Sequence, residues 1–196
     1  MNRIAVFLFV GLALAGPTSV TAQIGVDLSD PVATALLRLP GSLREGATVI
    51  DRTDESVLRR GSNGLTCLTD VPGNAGLSVQ CHPSIIEPYL RRGRELSAEG
   101  IRGTELRSIL AAEVRTGRLY LPTGAMIRNL SGTINVETGV PDSVRVWSEF
   151  LVPFASTIDL GIPDTDQGLD PWMMRPGDVA AHVMVRYRSV PWSEIH

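Results

Sequence analysis

The chain has 196 residues, 43% hydrophobic and 20% charged, a balance that excludes collagen-like, low-complexity and wholly disordered proteins and leaves room for one domain. Its 18 basic residues against 21 acidic ones give a formal charge of −3, so it lacks the cationic field that nucleic-acid binding needs, and no nucleic-acid partner is expected. Every basic residue is Arg; without Lys there is neither a phosphate loop ending in Gly-Lys-Ser/Thr nor lysine-based covalent catalysis.

At the start, Asn2 and Arg3 precede an apolar run from Ile4 to Ala15, which Gly16 and Pro17 break before Val20, Thr21 and Ala22. This pattern predicts a secretory signal peptide over 1–22, cleaved after Ala22, and hence an exported protein, periplasmic or secreted. As a helix the run rises only about 18 Å, against a hydrocarbon core of about 30 Å, so no membrane span is expected after cleavage. The remaining residues, 23–196, read as a single α+β domain whose aromatic residues crowd its last third: Trp147, Phe150, Phe154, Trp172, Tyr187 and Trp192.

Ser29-Asp30-Pro31 predicts a helix start, with Asp30 as cap and Pro31 at the first helical position, and Pro40-Gly41 predicts its end. Residues 47–51, 56–60 and 65–69 read as short strands. Asn63-Gly64 between the last two predicts a hairpin, because both residues tolerate positive φ. Cys67 and Cys81, behind an export signal, predict one disulfide closing a loop of about 15 residues, worth about 3 kcal/mol in the chain-entropy account. The alternative is a metal site built from Cys67, Cys81 and His82, which lacks the closely paired ligands usual in structural zinc sites, so no metal is expected.

From Ser84 to Gly117 the pattern is helical, with Pro88, Gly93, Gly100 and Gly103 as breaks, and the best helix runs from Thr104 to Thr116. Leu106, Ile109, Leu110 and Val114 form its apolar stripe, and Glu105, Arg107, Glu113 and Arg115 read as a solvated surface. Residues 144–154 and 181–188 alternate in the strand manner. Between them, residues 155–180 hold Pro163, Pro171, Pro176 and the aspartates 159, 164, 166, 170 and 178, a connection long enough to be functional or mobile.

The stretch Leu58-Arg59-Arg60-Gly61-Ser62-Asn63-Gly64-Leu65-Thr66-Cys67, the later Cys81 and the segment Pro176-Gly177-Asp178-Val179-Ala180-Ala181-His182-Val183-Met184 resemble two blocks of a group of uncharacterised exported bacterial proteins. The resemblance implies export and a shared fold. It brings no activity with it.

The chain contains no His-Glu-x-x-His, Cys-x-x-Cys or Gly-x-Ser-x-Gly, and no cofactor is expected. Asp164, Asp166 and Asp170 stand at alternate positions as in a calcium loop, but Gly168 and Arg175 occupy places where such a loop needs oxygen ligands. Pro171-Trp172-Met173-Met174 reads either as a satellite core under the long connection or as an apolar lid over a ligand. His182 follows on a strand face that also bears Arg186 and Arg188, able to hold an anionic group. Two functions follow. The first is a non-enzymatic domain binding a small ligand or protein partner through Trp172, Met173, Met174, His182, Arg186 and Arg188. The alternative is a small secreted hydrolase in which His182 is the general base, oriented by Asp178 or Asp170, for which no nucleophile is identified.

Overall fold

The structure is a computed structural model and describes residues 27–71, 76–168, 170–186 and 189–195. The proposed signal peptide lies outside the described residues. Among the described residues nine strands form one sheet: β1 (Thr48–Ile50), β2 (Val57–Arg59), β3 (Leu65–Leu68), β4 (Gly76–Pro83), β5 (Met126–Ile134), β6 (Pro141–Leu151), β7 (Trp172–Met174), β8 (His182–Arg186) and β9 (Val190–Pro191). Their order is β2-β1-β3-β4-β5-β6-β8-β7, with β9 pairing the start of β6 beyond β8. All neighbours run antiparallel except β1 and β3. With its helices and single disulfide this is one compact α+β domain.

Helices cover both faces. On one face, α1 (Pro31–Ala35) and the 3-10 turn Leu36–Arg38 lie over β4, where Ala35, Leu36 and Leu39 pack with Val49, Cys67 and Cys81, and Leu37 packs with Val79 and Leu130. Asp30 starts α1 as expected, its carboxylate accepting from the Val32 and Ala33 N–H groups. The short α2 (Gly41–Arg44) follows. On the other face, α3 (Glu87–Ala98) and α4 (Gly103–Arg115) close over Ile127 and Leu151 with Tyr89, Leu96, Leu110 and Ala111. Burying one stripe of each helix removes enough apolar surface to offset the entropy of ordering it.

Three sequence expectations change. Pro88 and Gly93 do not break α3: Pro88 sits in the first turn, where its missing N–H has no intrahelical partner to lose, and Gly93 lies inside the helix. Asn63-Gly64 does not join a hairpin, because β2 and β3 both pair with β1 instead of each other. The Gly46 carbonyl accepts from the Ser62 and Asn63 N–H groups at 2.7 and 3.0 Å and carries the chain across to lie parallel to β1. Gly61 makes this possible, since a Cβ there would stand 2.2 Å from that same carbonyl oxygen. Finally, Phe154 is not part of the strand: β6 ends at Leu151, and Phe154 takes the left-handed region at φ 64°. No helix among the described residues is long and apolar enough to cross a membrane.

Candidate functional site

The residues singled out in the C-terminal third assemble at the β7–β8 end of the sheet. Trp172 pairs with Met184 and Met174 with His182, so these four side chains share the face that carries α3 and α4. Met173 points the other way and is wholly buried with Val152 and Ala181. The segment is therefore an edge strand over a satellite core, and the Met173 N–H donates to the Pro163 carbonyl at 2.7 Å, so the connection covers the strand's outer edge. Trp172 is buried, whereas Met174 is 39% exposed. Arg186 occupies the register position opposite Trp147, and Arg188 lies outside the described residues.

His182 is 9% exposed and its Nδ1 lies 2.8 Å from the Ala180 carbonyl oxygen. A carbonyl only accepts, so Nδ1–H is the donor and Nε2 is left with an available lone pair. Asp178 does not orient this ring. One carboxylate oxygen accepts from the Ala180 N–H at 2.9 Å and the other from Arg107 Nε at 2.8 Å, which fixes the turn before β8 and docks it on α4. Asp164, Asp166 and Asp170 are all exposed, and Asp166 caps its own turn by accepting from the Gly168 N–H at 2.9 Å. Among the described residues no three His, Cys, Asp or Glu side chains stand together as a metal site.

Cys67 and Cys81 face each other across β3 and β4 and are joined by a disulfide with no exposure of either residue. His82 turns to the opposite face, where its Nε2 lies 2.6 Å from Glu87 Oε2. The other oxygen of Glu87 accepts from Arg94, which also donates to Glu55, and Arg91 pairs with Glu55 at 2.9 Å. This chain of charges ties the β1–β2 turn to α3. Burial pushes the Glu87 carboxyl up, but the bonds from His82 and Arg94 outweigh it and hold the group below its ordinary range. Nothing in the sequence pattern singles out this network except that Glu87 and Arg94, seven residues apart, share one face of a helix. Contrary to the expectation of a solvated surface residue, Glu113 is buried and accepts from Arg92 Nε at 3.3 Å.

Comparison of the chain with protein-family models, with curated proteins and with solved structures finds no match.

Proposed function

We propose that the chain is an exported, non-enzymatic domain that binds a small ligand or a protein partner at the β7–β8 edge. The observation that carries this reading is the pair Met174 and His182: an exposed thioether beside an imidazole whose Nδ1–H is locked on Ala180, leaving Nε2 to accept. A soft apolar contact next to one oriented polar atom, both on paired strands, is the composition of a recognition surface. The Asp178 carboxylate is engaged by Arg107 and the Ala180 N–H and makes no hydrogen bond to His182, which favours binding over a His–Asp hydrolytic pair. The buried disulfide is in keeping with an oxidising compartment, and so with export.

Native mass spectrometry of the protein isolated from its own secretory compartment tests the reading. A retained ligand or partner mass that Met174→Ala and His182→Ala both reduce is the expected result. Turnover of a simple ester or peptide that His182→Ala abolishes would instead establish the hydrolase and overturn the proposal.

A further inference from the structure

A second feature includes neither Met174 nor His182 and does not rest on the reading above. Between α4 and two turns, the one that follows β6 and the one that joins β7 to β8, is a cleft of about 230 Å³, lined by Thr104, Arg107, Ser108 and Arg115 of α4, and by Phe154 and Asp178. Thr104, Arg107, Ser108, Ala111 and Arg115 recur at helical spacing and form one stripe of α4. Ala111 is the small residue in the middle of that stripe, which leaves room between the two arginines.

Both guanidinium groups are held in place. Arg107 donates from Nε to Asp178 and from Nη2 to Thr104 Oγ1 at 3.1 Å, which leaves Nη1 with its donors. Arg115 forms no ion pair with any described residue; its guanidinium carbon lies 4.5 Å from the centre of the Phe154 ring. The ring restrains a long side chain that would otherwise sample many rotamers, and it satisfies none of the guanidinium N–H donors.

The position of that ring is built at a cost. Phe154 at φ 64° and Arg175 at φ 57° both occupy the left-handed region, which is unfavourable for side chains of this size. Two backbone bonds clasp their turns together: the Phe154 N–H donates to the Asp178 carbonyl at 2.8 Å, and the Gly177 N–H to the Ala155 carbonyl at 2.7 Å. The clasp overcomes the strain and sets Phe154 beneath Arg115 and Asp178 beneath Arg107. Two positive charges against one carboxylate leave the cleft cationic, and the Ser108 hydroxyl on its wall is a further donor.

We infer that this cleft is a binding site for a small oxyanion, a carboxylate or a phosphate group, held between Arg107 and Arg115. Pre-positioned guanidinium donors suit the planar carboxylate and the phosphate alike.

Isothermal titration calorimetry of the purified chain with inorganic phosphate in one arm and succinate in the other, at constant low ionic strength, tests the assignment and separates the two anion types. At least one probe should bind saturably, one per chain. Arg115→Gln and Arg107→Gln should each weaken it about tenfold or more, as expected for the loss of a charge-assisted hydrogen bond. Phe154→Leu, which keeps both charges but frees Arg115, should weaken it about threefold or more through the added ordering cost. Arg118→Gln removes one charge just beyond α4 from a side chain that is 75% exposed, and should leave the affinity unchanged. Unfolding midpoints without the probe show that each variant is folded. No saturable binding of either probe overturns the site. So does a loss in Arg118→Gln equal to that in Arg115→Gln, which would mark general charge attraction, or full affinity in Phe154→Leu, which would remove the role given to the ring.

Discussion

His82 and Glu87 meet at 2.6 Å where β4 passes into α3, with the imidazole wholly buried and the carboxylate nearly so. Nε2–H donates to the carboxylate, and Nδ1 has no hydrogen-bond partner. Glu87 is thus the acceptor on which one side of the network rests, since Arg94 donates to its second oxygen. Glu87→Gln keeps the shape, removes the charge and leaves Arg94 facing a neutral amide. A loss of about 2–3 kcal/mol in urea-induced unfolding is expected, somewhat less than for a fully buried pair because Arg94 is 24% exposed. An unchanged midpoint would show that the network contributes nothing net.

The same carboxylate predicts a dependence on acid. Its pKa is depressed in the folded state, so its contribution to stability is present above the ordinary value of 4.5 and is lost as the pH falls through the lower folded value. Unfolding midpoints measured downward from pH 5 should fall more steeply in the native chain than in Glu87→Gln. Parallel curves would assign the acid loss to other groups.

Tyr89 predicts the opposite end of the range. Burial pushes its hydroxyl up to about 12, with the Asp178 carboxylate adding to the effect and Arg175 opposing it. A group raised in the fold stabilises below its unfolded value, near 10, and that contribution is lost as the pH climbs toward 12. For a side chain this buried the loss is about 3 kcal/mol. Ultraviolet titration should show a late-ionising tyrosine that Tyr89→Phe removes, together with a flatter alkaline stability curve. A variant that loses stability in alkali as fast as the native chain would refute this.

How much of this was legible in the sequence depended on whether the signal was local. The Asp30-Pro31 cap, the alternation of Val144, Val146, Ser148 and Phe150, and the Cys67–Cys81 bridge each follow from a few neighbouring residues, and all are present. β5 was missed because Arg128, Asn129, Ser131, Gly132 and Thr133 dilute its hydrophobic pattern; it is held as a central strand by its two partners. The crossing from β2 to β3 is not legible locally: Gly64 does take the positive φ it favours, at 73°, but which strand β3 pairs with is set by a distant carbonyl, that of Gly46. The cleft was invisible for the same reason. Arg115 reads as a solvated helix residue, and it is exposed, while Phe154 reads as the end of a strand; only the fold places the ring of a strained turn against that guanidinium. His182 and Asp178 were visible as reactive residue types, but their separate hydrogen-bond partners were not.

The disulfide makes a prediction about both stability and access. Cys67→Ala with Cys81→Ala should lower the free energy of unfolding by about 3 kcal/mol, the chain-entropy value for a loop of this length. Neither cysteine has any exposed surface, so dithiothreitol should reduce the bond slowly in the native protein and quickly once urea opens the sheet. Equal rates under the two conditions, followed by thiol labelling, would show that the β3–β4 region opens far more readily than its packing implies.

Gly61 carries the most severe single substitution. Its φ is not the constraint; the space is. An added Cβ would lie 2.2 Å from the Gly46 carbonyl oxygen and 2.3 Å from the Ala47 carbonyl carbon, and both are backbone atoms that no side-chain rotation moves aside. Relief requires lifting the 61–64 segment off Gly46, which gives up the Ser62 and Asn63 hydrogen bonds and disturbs the parallel pairing of β1 with β3 behind them. Gly61→Ala should therefore cost about 3 kcal/mol or more, in the range of severe core disruptions. Gly41→Ala, with nothing within 4 Å of the new carbon, should stay within about 0.5 kcal/mol of the native chain. Comparing the two urea midpoints separates the loss of a backbone contact from a general intolerance to replacing glycine. Equal, small effects would mean that the β2–β3 crossing is not anchored on Gly46.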